Sequence, residues 1–336
     1  MSKIVALEVS PQAIRGTEVS GFLSKKPKIL RVGEIKLEEN VAGESLVIND
    51  EAFVAALKEL WSTAKFSTKA VALVVGGRRF IVRSHSTTHN SMQTVRSTLA
   101  YEGQQALPEQ SESLIYDFYP THEVETKVGT KTEGLVVSTP AEPINRIVMG
   151  LKQAKFELEY VDFAPLAVTR WILRNRPEKT YALVNIREES TDIAIAEDAM
   201  PRMIRVVSKG LNNKRRPVRE TPVESQLLRR DVLGDQGVNL LMQDISLTIR
   251  TQSDSVDEEL ECIFTSGPRA DDSELIKRME EIFGIPVIPL AIEEPIINPK
   301  QAADKLSTDN EEGVEVNKAV DSSIFNNFVT MTGGMR

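Results

Sequence analysis

The sequence predicts an α/β protein built from two similar lobes, and three observations carry that reading. The order strand–strand–strand–helix opens the chain and starts again at Tyr181. Between the two, Arg174-Asn175-Arg176-Pro177-Glu178-Lys179 is a charged connection that contains a proline, the composition of a boundary. At roughly 150 residues per domain, 336 residues amount to about two domains.

In the first half, Lys3–Val9, Ala13–Val19 and Ile29–Leu37 are short runs of aliphatic and β-branched residues separated by polar or Gly/Pro turns, which predicts an antiparallel start. Asp50 is placed to cap a helix to about Ala64, because Phe53, Val54, Leu57, Leu60, Trp61 and Ala64 recur at helical spacing. Ala70–Val75 and Arg79–Ser84 read as two strands of a hairpin turning at Gly76-Gly77. A helix over about Met92–Leu107 follows, then strands at Leu114–Tyr119 and Thr132–Ser138. From Pro140 to Ala154 the residues Ile144, Ile147, Val148, Leu151 and Ala154 share one helical face, with Pro143 in the first turn. A strand at Glu157–Val161 and a helix from about Pro165 to Arg174 close the half.

The second half predicts strands at Tyr181–Ile186, Asp192–Ala196 and Arg202–Val207, and helices over Pro222–Leu233 and Val238–Thr251. A strand at Glu261–Thr265, a helix at Asp271–Phe283 and a strand at Pro286–Leu290 follow. Residues from about Ile292 to Ser322 are acidic and polar, a loose connection to a short helix near Ser323–Met331.

Composition narrows the function. Apolar residues make up 41% and charged residues 27%, which suits a packed globular chain rather than a disordered one. The formal charge of −8 argues against nucleic acid as the main partner, since phosphate binding needs a basic face. Cys262 is the sole cysteine, so a disulfide framework or multi-cysteine zinc site within one chain is excluded and a reducing compartment is expected. The longest apolar runs, such as Ala70–Val75, fall far short of the ~18 residues of a membrane span. The N-terminus runs straight into a strand pattern without a secretion signal, so the expected location is cytoplasmic, with any membrane contact made through partners.

Other candidate signals have plain structural explanations. His85 and His89 have zinc-ligand spacing, but the intervening Ser86-Thr87-Thr88 favours a loop and neither His has a glutamate beside it, so no metal is assigned. Lys209, Lys214, Arg215, Arg216, Arg219, Arg229 and Arg230 form the densest basic region, read as a solvated surface with an acidic protein partner or self-assembly as the alternative. The segment from Ile324 to Met331 is amphipathic but poor in basic residues, so it is expected to pack on the second lobe rather than lie on lipid.

Several stretches carry a resemblance: Gly134 to Pro140, the helix to Phe156, Glu159 to Ala167, and upstream Ile81-Val82-Arg83, Tyr101 to Pro108 and Tyr116-Asp117-Phe118. Together they make the chain similar to the PilM family of type IV pilus assembly proteins, relatives of the cell-division protein FtsA in the actin-like ATPase superfamily. The resemblance implies an actin-like (RNase H-like, duplicated) two-lobe fold with an inserted α/β subdomain. The first lobe would be 1–175 with the insertion at about 45–130, and the second 176–336 with a helical subdomain at about 210–255. It also implies a nucleotide cleft made of two phosphate turns and an adenosine loop, and this chain departs from each. The first turn is Glu8-Val9-Ser10-Pro11-Gln12-Ala13-Ile14-Arg15, where the family's glycine has become Ser10 and Pro11 lacks a backbone donor. In the second, Asn185-Ile186-Arg187-Glu188-Glu189-Ser190-Thr191, the family's Mg²⁺-associated acid is Asn185, and Glu188 and Glu189 bring negative charge towards a triphosphate. Of the adenosine loop's glycines, only Gly267 survives in Thr265-Ser266-Gly267-Pro268-Arg269-Ala270.

If nucleotide binds, the residues to hold it are Glu8, Ser10, Gln12, Arg15, Asn185, Arg187, Ser190, Thr191, Ser266, Gly267 and Arg269, with Arg187 and Arg269 able to offset the carboxylates. The losses imply a degenerate site: no catalytic residue, no metal and no cofactor are expected, with ATP and Mg²⁺ the alternative. The implied function is a cytoplasmic scaffold at the inner face of the membrane, binding the N-terminal cytoplasmic peptide of a PilN-like membrane protein, with the pilus assembly ATPase and a second copy of the chain as further partners. The rivals are an ATP-binding or ATP-hydrolysing relative, and an FtsA-like membrane-associated filament protein.

Overall fold

The computed structural model describes residues 3–10, 12–21, 28–38, 41–42, 47, 49–88, 93–99, 113–127, 129–187, 190–210, 232–253, 258–267 and 270–290. The expected helices at Pro222–Leu233 and Ser323–Met331, the acidic connection before the latter, and most of the basic region lie outside them or at their edge.

Five strands form the first sheet: β1 (Lys3–Val9), β2 (Ala13–Ser20), β3 (Lys28–Lys36), β4 (Ala70–Val75) and a later strand, β8 (Glu157–Phe163). Their spatial order is β3-β2-β1-β4-β8, with β1 antiparallel to β2 and parallel to β4. Alternation along β1 divides its residues between two faces. Val5, Leu7 and Val9 join Val71, Leu73 and Val75 beneath α1 (Asp50–Ala64) and α3 (Ala141–Gln153), which contribute Phe53, Leu57, Leu60, Ile147 and Leu151. Ile4 and Ala6 face the other way with Ala72, Val74 and Ala164. Glu8 continues this second row, so a carboxylate stands at its end. Asn49, not Asp50, caps α1: its side chain accepts a hydrogen bond from the Ala52 N–H at 3.1 Å.

The hairpin expected at Gly76-Gly77 does not form. β4 is taken up between β1 and β8, and the chain leaves the sheet through those glycines to start another. That third sheet consists of β5 (Ile81–Thr87), β6 (Leu114–Thr126) and β7 (Gly129–Pro140) in the order β5-β7-β6. A short helix α2 (93–99) lays Val95 and Leu99 on Phe118. α1 and β4 belong to the first sheet and its cover, and the strands of the third sheet begin at Ile81.

Helix α4 (Ala164–Asn175) leads to the second sheet. Its strands are β9 (Tyr181–Ile186), β10 (Thr191–Glu197), β11 (Met200–Val207), β12 (Cys262–Ser266) and β13 (Val287–Pro289). The order β11-β10-β9-β12-β13 repeats the first sheet: third, second, first, fourth, fifth. Ala182, Val184, Ile186, Ile193, Ile195 and Ile263 pack under α5 (Val232–Ser253) and α6 (Ser273–Phe283). Tyr181, Leu183 and Phe264 face α4. On that face the last rung is polar: Ser266, Asn185 and Asp192 are register partners across β12, β9 and β10.

Candidate functional site: an arginine between two hairpins

The two hairpins expected to hold phosphates, β1–β2 and β9–β10, approach each other at their turns. In the first, Glu8 is paired in register with Arg15, and Ser10 closes the turn on itself. The Ser10 N–H donates to the Ala13 carbonyl at 2.9 Å, and Ser10 Oγ accepts from the Ala13 N–H at 3.1 Å. Arg15 is held by Glu34 at 2.6 Å and lies 3.9 Å from Glu8. Gln12 sits half-buried beside this turn. In the second hairpin the Arg187 N–H donates to the Ser190 carbonyl at 2.9 Å, and the Thr191 hydroxyl donates to the Lys209 carbonyl at 2.8 Å.

Arg187 crosses from the second hairpin to the first. Its Nη2 is 3.3 Å from Glu8 Oε1, and its Nε is 3.6 Å from Asp192 Oδ2. The guanidinium lies over Gly76 so closely that a Cβ there would stand 2.8 Å from Nη1, so a larger residue would have to push the arginine aside. The carboxylates that Arg187 faces here are Glu8 and Asp192, while its Nε and Nη2 make no hydrogen bond among the described residues. The Asn185 amide donates to Asp192 Oδ2 at 3.0 Å. Burial pushes the Asp192 carboxyl above the ordinary aspartate range, opposed by the Arg187 charge and the Asn185 hydrogen bond and reinforced by Glu8.

The adenosine loop is equally tight. Gly267 has φ +99°, and a Cβ on it would lie 2.1 Å from the Ile186 carbonyl oxygen. The Thr265 hydroxyl donates to the Ala270 carbonyl at 2.7 Å across this loop. Ser266, Asn185, Ser190 and Thr191 are buried. Pro11, Glu188, Glu189, Pro268 and Arg269 lie outside the described residues. Thus Glu8, Asn185, Arg187, Ser266 and Gly267 converge, while Ser10, Arg15 and Thr191 are engaged in local bonds.

Sequence reasoning passed over Asp192 and Gly76. Asp192 was findable: counting outward from the Ile186–Thr191 turn pairs it with Asn185, two polar residues at one rung of otherwise apolar strands. Among the described residues, Arg187 stands between the turns with Glu8 and Asp192 facing it, so a metal-bound phosphate would meet a guanidinium already in place. Among the described residues there is no cluster of three or more His, Cys, Asp or Glu able to hold a metal. His85 packs edge-on against Phe118, with ring centroids 5.9 Å apart, and Lys209 pairs with Asp244 at 2.6 Å.

Two five-stranded sheets of identical strand order, joined through a helix and meeting at paired hairpins, define an actin-like fold. No protein-family model matches the chain, and no curated protein matches it in sequence. Among solved structures it is similar to a chain of the "PilM-PilN type IV pilus biogenesis complex", with 16% identity, 98% of this chain and 96% of that chain covered, and a TM-score of 0.73. It is also similar to the ethanolamine utilization protein EutJ from Carboxydothermus hydrogenoformans, with 11% identity, coverage of 99% and 90%, and a TM-score of 0.51. In structure the chain is PilM-like; at these identities the likeness establishes the fold.

Proposed function

We propose that this chain is a nucleotide-independent scaffold of a type IV pilus or related secretion machine, and that it binds the N-terminal cytoplasmic peptide of a PilN-like membrane protein. The observation that carries the reading is the end-to-end structural match to a chain of a PilM-PilN type IV pilus biogenesis complex. The state of the cleft supports its nucleotide-independent part: an internal cation stands where a metal-bound phosphate would be needed, and the second turn offers Asn185 where the family has an acid. In this reading lobes 1–175 and 176–336 form one platform at the cytoplasmic face of the membrane, held there by its partner. None of the described helices is long and apolar enough to cross a membrane.

The test is titration calorimetry of the full chain, first with a synthetic N-terminal peptide of the membrane protein encoded beside it and then with Mg-ATP. Saturable peptide binding without heat from ATP is the expected result. Micromolar ATP binding together with an inert peptide would replace the scaffold by an ATP-binding actin-like protein. Sedimentation of the chain alone with liposomes would instead favour the filament alternative.

A further inference from the structure

We infer that His122 is a proton-operated catch between the third sheet and the second lobe. Uncharged, its imidazole receives Arg202 from β11; protonated, it gives Arg202 up and binds Glu133 within its own sheet. The inference involves neither nucleotide nor peptide and stands apart from the scaffold reading.

Two backbone irregularities bring these side chains together. In the β6–β7 ladder Pro120 pairs with Gly134 and His122 with Glu133, so Thr121 is an extra residue. In the β10–β11 ladder Ile195 pairs with Met203 and Ala196 with Pro201, which makes Arg202 the extra residue there. A bulge of this kind bends its strand and re-aims side chains. Both bulged strands, β6 and β11, are the outer strands of their sheets. His122 and Arg202 thus meet where each sheet breaks its own register.

Arg202 Nη1 lies 2.7 Å from His122 Nε2 and 3.1 Å from Nδ1, while Nη2 pairs with Glu197 at 2.7 Å. The buried Nε of Arg202 has no hydrogen-bond partner among the described residues. Glu133 Oε2 stands 2.9 Å from the same His122 Nε2. Thr121 Oγ1 lies 2.9 Å from Nδ1 and donates to the Glu133 carbonyl at 3.1 Å. The charges around the ring are therefore Glu133 on β7, Arg202 on β11 and, behind Arg202, Glu197 on β10. At the same rung β5 presents Ser86, and the next residue along β6 is the exposed Glu123.

The chemistry of these groups separates the two states. A guanidinium has only donors, and a neutral imidazole, in either tautomer, keeps one nitrogen lone pair to face it. An imidazolium has donors on both nitrogens, so protonation leaves Arg202 against a second cation with nothing to receive it. Glu133 works the other way: a carboxylate only accepts, and a charged ring is its stronger partner. Thr121 Oγ1, whose hydrogen goes to the Glu133 carbonyl, has lone pairs to spare for an Nδ1–H. Each charge state of the ring thus has its own partners, Arg202 in the second lobe for one and Glu133 with Thr121 in the third sheet for the other. Arg202 keeps Glu197 in both, so its release strands no charge. The His122 side chain is 30% exposed, which gives protons access to it.

Hydrogen exchange of the full-length protein at about pH 7.5 and about pH 5.5, within the interval where histidines change charge, tests the inference. Variants are compared with their parent at the same pH, so that intrinsic exchange rates cancel. At the higher pH Arg202→Met should speed exchange of the β6 and β7 amides about tenfold, and at the lower pH about twofold or less, because the wild type has already let go. In a His122→Gln background, where the side chain keeps an acceptor and takes no proton, Arg202→Met should have the same effect at both. An Arg202→Met effect that does not change with pH in the wild-type background would overturn the catch, as would an unaltered pH dependence in the His122→Gln background. Should a variant fail to fold, NMR of the wild type decides. The Arg202 Nε–H resonance should move with the same midpoint as the His122 imidazole, and an Arg202 signal indifferent to that titration refutes the inference.

Discussion

Replacing Gly267 with alanine probes how tightly the adenosine loop is shut. Two costs combine. An L-residue at φ +99° carries backbone strain of about 1–2 kcal/mol. The new methyl would sit 2.1 Å from the Ile186 carbonyl oxygen and 2.9 Å from its carbon, more than an ångström inside contact for the oxygen. Ile186 ends the central strand β9, bounded by β10 and β12, so the strand cannot yield cheaply and overpacking adds about 1–3 kcal/mol. A total of about 2–5 kcal/mol, divided by a urea m-value of about 1–3 kcal/mol/M, lowers the midpoint by about 0.7 M or more. Urea unfolding followed by circular dichroism measures it. Gly77→Ala is the internal control, because Gly77 has φ +109° with nothing within 4 Å of a Cβ, so only strain applies there. A Gly267→Ala midpoint equal to that of Gly77→Ala would refute the close approach of loop and strand.

Three further outcomes are expected. Arg202→Met should destabilise by about 1–3 kcal/mol in urea unfolding and expose the third sheet to protease, because Arg202 pairs with the mostly buried Glu197 at 2.7 Å and its Nη1 lies 2.7 Å from His122 Nε2 on β6. Cys262 is buried with its thiol pushed up to about 12, mainly by desolvation, so it should resist a thiol reagent at pH 8 and react fully once the chain unfolds. Glu261 accepts the Thr180 and Lys179 amides at 2.9 and 2.8 Å, which hold its carboxyl below the ordinary 4.5. A lowered carboxyl pKa gives stability that is present above 4.5 and lost as pH falls through the folded value, so Glu261→Gln should be less stable than wild type at neutral pH and indistinguishable in strong acid.

Much of the fold was legible because its strands alternate or run apolar at a length that only strands share. Lys3–Val9, Ala70–Val75 and Tyr181–Ile186 fall where their side chains predict them. What failed was pairing. Gly76-Gly77 satisfies the local grammar of a hairpin, but β4 finds its partners in β1 and β8, both far away in sequence, and no local feature outranks that competition. The cap at Asn49 was missed by one position because Asn and Asp serve equally well there. In the site, the residue types were readable and their allegiance was not. An arginine beside a phosphate turn has the right sign for a phosphate and equally for Glu8 and Asp192, and only three-dimensional proximity decides between them. Asp192 lay hidden in a strand because register, rather than composition, sets it beside Asn185.

The third sheet bears on how the two lobes are held together. It grows out of the first lobe, where Arg170 on α4 grips Asp162 and stacks 5.6 Å from the centre of the Tyr119 ring, yet its β6 strand reaches Arg202 on β11, the outermost strand of the other lobe. The lobes are therefore tied by the covalent crossing after α4, by Arg187 at the cleft and by Arg202 at the far edge. Two plates joined by one hinge swing; two plates braced at separate places behave as a truss. Rotating one lobe about the crossing would therefore have to break the contacts of Arg187 and of Arg202 together.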